Sequence, residues 1–239
     1  MPVVVDTDGG VDDAVALWWA LTHLDVAAIT TVAGNVRVGQ ATALVRRVLR
    51  ELGRTDLPVA QGVDLPARME NRHDAPMAVL YAPDDEPSAP PLLAELPDGT
   101  DLITLGPLTN VAAALQLDPT LPQRLGRMVV MGGPSERWEF NFSHDEDAAE
   151  TVLAAGWRTP PLVVGLDRTE AATLSEAEFD LLAEHRTAAA RFLDAGLRAY
   201  RNVHGGGDCP VHDLLAVLAY VDPEVDVTGF REAARELFS

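Results

Sequence analysis

The chain has 239 residues, and 37 acidic against 18 basic side chains leave a net charge of −19 with its six histidines neutral. That sign excludes the electrostatic footprint of a nucleic-acid binder and disfavours an anionic membrane, while it suits a cation or a neutral polar substrate. Hydrophobic residues at 47% and charged residues at 23% are globular values, so neither a disordered nor a fibrous chain fits, and one domain over residues 1–239 is the economical expectation. A single cysteine, Cys209, rules out an internal disulfide. No basic segment with an apolar run behind it opens the chain, and no run of about 18 apolar residues occurs, so a soluble cytoplasmic protein is expected.

Short apolar runs ending in Gly, Asp or Asn alternate with segments of helical period, the signature of βα units around a parallel sheet. Val3 to Val5 reads as a buried strand and Asp12 to Leu24 as a helix with Val15, Leu17, Trp18 and Leu21 inward. Val26 to Val32 is the next strand, and Ala33-Gly34-Asn35 turns the chain into a helix from about Gly39 to Leu52, ended by Gly53. Further strands are expected at Leu102 to Leu105, Met128 to Met131 and Leu162 to Leu166, with helices over Leu108 to Leu117, Asp145 to Ala155 and a long C-terminal region. Asp64 to Pro97, rich in proline, reads as a surface excursion. The fold class is therefore α/β, a single open, mostly parallel sheet flanked by helices.

The most informative segment is Asp6-Thr7-Asp8-Gly9-Gly10-Val11-Asp12-Asp13, four carboxylates within eight residues where the first strand meets its helix. Ligands of open parallel sheets bind outside the carboxyl ends of strands, and Gly9-Gly10 allow a turn that folds Asp12 and Asp13 back over Asp6 and Asp8. Four such charges raise one another's pKa unless a cation or backbone donors compensate them, and a hard divalent cation is the natural partner. Asp12 and Asp13 also suit an ordinary first helical turn, but Asp6 and Asp8 at a strand end do not.

Two more segments carry polar groups at element ends. In Cys209-Pro210-Val211-His212-Asp213, Pro210 suits a first helical turn, and the His-Asp pair is either a plain helix start or a second acidic contribution. In Met131-Gly132-Gly133 through Glu139-Phe140-Asn141, a carboxylate and an amide two residues apart would share one side of an extended chain. They would suit sugar hydroxyls or a solvent-facing loop equally well.

These residues resemble the nucleoside hydrolase family of the inosine/uridine-preferring type. The likeness lies in the Asp6 to Asp13 cluster, Val32-Ala33-Gly34-Asn35-Val36, Leu105-Gly106-Pro107-Leu108-Thr109-Asn110 and Leu117-Asp118-Pro119. Met131-Gly132-Gly133, Glu139-Phe140-Asn141, Gly165-Leu166-Asp167 and His212-Asp213 follow in the family's order. The resemblance implies a Rossmann-like nucleoside hydrolase fold and Ca²⁺-dependent hydrolysis of the N-glycosidic bond of ribonucleosides, a reaction of purine and pyrimidine salvage. By the same resemblance, Asp8, Asp13, Asp213 and the carbonyl of Leu105 ligate Ca²⁺. Asp8 is the general base, and Asp12, Asn35, Glu139 and Asn141 hold the ribose. Met131 and Asp213 join the substrate-binding set, His212 faces the leaving base as an acid, and Asp6 supports the cluster from behind. The implied partner is a small-molecule nucleoside, and a homo-oligomer is allowed.

The chain departs from the family pattern in three places. Gly9 stands where the family usually has proline, which predicts a looser turn. The stretch between Gly133 and Glu139 lacks an Asn-containing insertion, and His73-Asp74 replaces a His-Gly motif. The last two predict a cut-down base pocket, and they leave as the alternative a catalytically impaired, metal-bearing nucleoside-binding protein of the same fold. The Asp-x-Asp-Gly of a haloacid dehalogenase-type phosphatase also resembles Asp6 to Gly9, but that chemistry needs a lysine and the sequence has none.

Overall fold

The computed structural model describes residues 1–62, 87–133, 139–184, 187–203 and 205–237. The first half of the chain runs β1 (Val3–Thr7), α1 (Val11–His23), β2 (Val26–Thr31), α2 (Val38–Glu51), β3 (Val59–Gln61), α3 (Ala89–Ala94), β4 (Asp101–Thr104), α4 (Thr109–Leu117) and α5 (Leu121–Arg124). The second half adds β5 (Met128–Met131), α6 (Phe140–His144), α7 (Glu146–Leu153), β6 (Leu162–Val164), α8 (Leu166–Thr169) and β7 (Thr173–Leu174). It ends with α9 (Glu176–Glu184), α10 (Ala188–Val203), β8 (Cys209–Pro210), α11 (His212–Val221) and α12 (Val227–Leu237). Among the described residues no helix is long and apolar enough to cross a membrane.

Six strands form one sheet in the order β3-β2-β1-β4-β5-β6, every pairing parallel, and β7 and β8 make a separate antiparallel pair. The alternation of β1 explains the layering. Val3 and Val5 enter one core with α1, α2, α10, α11 and α12, while Val4 enters the other with α3, α4 and α7. Because both faces are covered, the strands read as continuous apolar runs. The strand order reverses between β1 and β4. There the connections leave toward opposite faces and open a crevice at the carboxyl ends, where Asp8 and Leu105 follow their strands.

Several expectations need correction. The strand expected over Leu162 to Leu166 stops at Val164, because Gly165 caps α8 and passes the chain into a helix. Pro210 is not in a helical turn: it pairs with Thr173 in the short ribbon, which needs no N–H from it, and α11 starts at His212. Part of the 64–97 stretch is core rather than surface, since Ala89 and Leu93 of α3 are buried. Residues 63–86 of that stretch, with His73-Asp74, lie outside the described residues, as do residues 134–138. The turn at Gly9 is not loose either. Gly9 has φ +74° and lies so close to α2 that a Cβ would meet Ala41 Cα at 2.6 Å, so the glycine allows tight packing of the aspartate turn.

Candidate active site

The site is built where β1 runs out of sheet partners. Thr7 is its last paired residue, and the fully buried Asp8 follows. Gly10 then starts α1, whose first turn carries Asp12 and Asp13. Asp13 does two things. Its Oδ2 accepts the Gly10 N–H at 2.8 Å and its Oδ1 accepts the Thr7 hydroxyl, so it caps the helix. It also stands in an acidic trio, since Asp12, Asp13 and Asp213 each bring a carboxylate oxygen within 4.8 Å of the others. Asp213 enters from the first turn of α11, two hundred residues later in the chain. Asp8 joins this trio through contact with Asp13, and is held by Asn35, whose backbone N–H and side-chain amide donate to Oδ2 and Oδ1 at 2.9 and 3.0 Å.

The electrostatics are those of a crowded, buried cluster of carboxyl groups. Burial, then the charge of Asp13 and the nearness of Asp12, push the Asp8 carboxyl well above the ordinary carboxylate range. Burial and then Asp12, Asp13 and Asp8 do the same to Asp213. Asp6, behind the cluster, is pushed up to about 6 by burial even though Thr30 and Asn110 hydrogen-bond it. No arginine stands among the described residues that line the cleft. Such a donor set fits a hard, oxygen-seeking divalent cation, which would return the carboxylates to their charged form.

Beside the cluster opens a cleft of about 250 Å³. Of the residues singled out in the sequence, Asp12, Asn35 and Leu105 line one side, Met131, Glu139 and Asn141 another, and His212 and Asp213 a third. Asp8 and Asp13, both fully buried, are not among its lining residues. Glu139 does not share an extended strand with Asn141. It is the N-cap of α6, its carboxylate accepting the backbone N–H of Asn141 at 2.9 Å and of Phe142 at 2.8 Å. Burial raises the Glu139 carboxyl, and these N–H groups hold the rise back. The Asn141 amide nitrogen donates to the Leu105 carbonyl at 2.8 Å, so β4 and α6 are tied together at the cleft. His212 Nδ1 lies 2.9 Å from the Thr169 hydroxyl, and burial lowers the pKa of the ring, favouring its neutral form. Three lining residues were not singled out as site residues: Phe140, Leu166 and Tyr200. Tyr200 comes from the amphipathic α10, where an aromatic at core spacing gives no sign that it borders a cleft.

Comparison with known proteins agrees with this architecture. The family model for inosine-uridine preferring nucleoside hydrolase matches residues 3–236. The non-specific ribonucleoside hydrolase RihC of Escherichia coli is 32% identical, with 94% of this chain and 80% of that protein covered. That alignment runs over 249 positions, more than the 239 residues of this chain, so RihC contains internal residues absent here. The pyrimidine-specific ribonucleoside hydrolase RihA of Photobacterium profundum is 33% identical, with 94% of this chain and 81% of that protein covered. Among solved structures, the plant nucleoside hydrolase PpNRh1 superposes with a TM-score of 0.80 at 31% identity, covering 93% of this chain and 79% of that one. The purine-preferring ribonucleoside hydrolase of Gardnerella vaginalis does so with 0.80 at 27% identity, covering 93% and 80%. These likenesses settle the family: the chain belongs to the inosine-uridine preferring nucleoside hydrolases, enzymes that hydrolyse nucleosides.

Proposed function

We propose that this chain releases ribose and a nucleobase from ribonucleosides in a Ca²⁺-dependent reaction, as a cytoplasmic enzyme of nucleoside salvage. The observation that carries the reading is the convergence of Asp8, Asp12, Asp13 and Asp213 on one end of a cleft lined further on by Asn35, Glu139 and Asn141. Asp8, Asp13, Asp213 and the Leu105 carbonyl would hold Ca²⁺; the carbonyl keeps a second lone pair beside the one that Asn141 uses. Bound there, the cation would supply Lewis-acid chemistry that makes a water molecule easier to deprotonate. Asp8, aimed by Asn35, accepts the proton of the attacking water. Asp12 and Glu139 accept hydrogen bonds from ribose hydroxyls, and Asn35 and Asn141 offer both donors and acceptors. As the glycosidic bond lengthens, positive charge develops on the sugar, and the surrounding carboxylates stabilise it. His212 supplies the departing base with a proton or a hydrogen bond.

The test is ribose release from a panel of ribonucleosides with Ca²⁺ present. Asp8→Asn keeps the shape but removes the base, and should lower turnover by at least about 10²-fold. Wild-type protein that releases no ribose, or an Asp8→Asn variant with wild-type turnover, would overturn the assignment.

A further inference from the structure

Behind the carboxylate cluster lies a polar layer that takes no part in the chemistry above. Asn110 stands in the first turn of α4 and is fully buried. Its amide nitrogen donates to Asp6 Oδ1 at 2.8 Å and to the Thr31 carbonyl at 2.9 Å, so one side chain bridges the carboxyl ends of β1 and β2 from the start of α4. Both partners accept hydrogen bonds, which fixes the amide with its nitrogen toward them. Asp6 Oδ1 also accepts the Thr30 hydroxyl at 2.5 Å, and the Asp6 backbone carbonyl accepts the Leu105 N–H at 2.8 Å. Space around the amide is closed: a Cβ at Gly62 would lie 2.3 Å from Asn110 Oδ1.

This arrangement is not what stability alone selects. Asp6 Oδ2 and Asn110 Oδ1 are buried acceptors without a donor among the described residues. An apolar pair of the same size would avoid that cost, so its retention calls for another explanation. Position supplies one. Sheet pairing of β1 ends at Asp6 on the β4 side and at Thr7 on the β2 side. Asp8 is the first residue beyond the ladder, and its placement depends on how firmly residues 6 and 7 are held.

We infer that Asn110 is a positioning residue of the hydrolytic reaction: through Asp6 it locks the end of β1 against β2 and β4, and so fixes Thr7, the donor to Asp13, and Asp8. This rests on the reading of Asp8 and Asp13 given above. Asn110→Ala should lower kcat by about 10- to 100-fold, the range expected for misplacement of catalytic groups, with KM for inosine moving by less than about 3-fold. Calorimetric titration with Ca²⁺ should show weakened binding as well. The control is Tyr220→Phe, which removes a 2.8 Å hydrogen bond to the buried Asp101 at the amino end of the sheet. It should lower Tm and leave kcat and Ca²⁺ affinity alone. If Asn110→Ala loses no more turnover and no more Ca²⁺ affinity than Tyr220→Phe, the inference is wrong. Should Asn110→Ala not fold, Thr30→Val strips the other donor from the same oxygen and carries the same expectation and the same refutation. Asp8→Asn in parallel separates the two claims. Its survival would remove the base assignment, whereas wild-type kcat and Ca²⁺ affinity in Asn110→Ala overturn the role of Asn110 whatever Asp8 does.

Discussion

Asn35 grips Asp8 twice, with its backbone N–H at 2.9 Å and its side-chain amide at 3.0 Å, one donor to each carboxylate oxygen. Hydrogen bonds to a carboxylate favour its charged form and oppose the upward push of burial and of Asp13. Asn35→Ala removes the side-chain donor and keeps the backbone one. The Asp8 pKa should then rise, and the acid limb of the kcat/KM profile should move to higher pH. A profile for Asn35→Ala that overlays the wild type would show that this grip does not tune the base.

The raised carboxyls also make stability depend on pH and on metal. A carboxyl whose folded pKa lies above its unfolded value of about 4 binds protons more tightly in the folded state. Stability is therefore full at low pH and falls as pH rises through the folded values, which for Asp6 means about 6 and for Asp8 and Asp213 well above the ordinary range. Metal-free protein should have a lower Tm at pH 8 than at pH 5. Added Ca²⁺ should raise Tm more at pH 8, and Asp13→Ala should abolish that rise. Thermal unfolding with chelator and with Ca²⁺ at both pH values checks this, and an equal Ca²⁺ effect at both would contradict it.

Away from the site, Arg124 donates to Asp118 Oδ2 at 2.6 and 3.1 Å and to the carbonyls of Ala94 and Leu96 at 2.6 and 2.7 Å, fastening the end of α3 to α5. The Thr120 hydroxyl, Arg124 and the Thr120 backbone N–H hold the Asp118 carboxyl down at about 2. A depressed pKa has the opposite sign: its contribution is present above about 4 and is lost as pH falls toward 2. Asp118→Asn should unfold at lower urea than wild type at pH 7, and the gap between the two should close near pH 2.

The cleft wall beyond the carboxylates offers Phe140, Leu166 and Tyr200 beside His212. Apolar and aromatic surface accepts many bases, whereas strong discrimination requires hydrogen bonds to groups that a wrong substrate lacks. On the proposed reading the sugar would find such partners in Asp12, Asn35, Glu139 and Asn141, all of which line the cleft. We expect kcat/KM to vary little among inosine, uridine and adenosine and to fall by at least about 10²-fold for their 2′-deoxy forms. A preference above about 10³-fold for one base, roughly 4 kcal/mol, would mean that this chain reads the base edge.

What the sequence disclosed follows from where its information is local. Apolar runs closed by Asp, Gly or Asn marked β1, β2, β4 and β5 within a residue or two, and of the four clustered carboxylates Asp6 and Asp8 had no comfortable explanation without a ligand. Glu139 was seen as a site residue, but its N-cap geometry was not, because capping depends on a backbone turn that spacing does not fix. Pro210 fits a helix start and a ribbon edge equally well, and only its pairing with Thr173 decides. Tyr200 was hidden for a similar reason: along α10 it continues an amphipathic stripe, and its place at the cleft depends on how that helix docks. Asn110 was quoted within a motif, but the bonds that give it meaning join residues 79 and 104 positions away.

The span between Asp8 and Asp213 has a consequence for synthesis. Asp8, Asp12 and Asp13 are made about two hundred residues before Asp213, so the acidic trio and His212 come together only once α11 has been made and packed on α1. Chains fold as they emerge, amino end first, so β1 and β2 can pair early without creating the cation site. A nascent chain, or one clipped ahead of residue 212, would hold Asp8, Asp12 and Asp13 without Asp213 and His212. Synthesis and docking of α11 are thus the step that closes the acidic cluster.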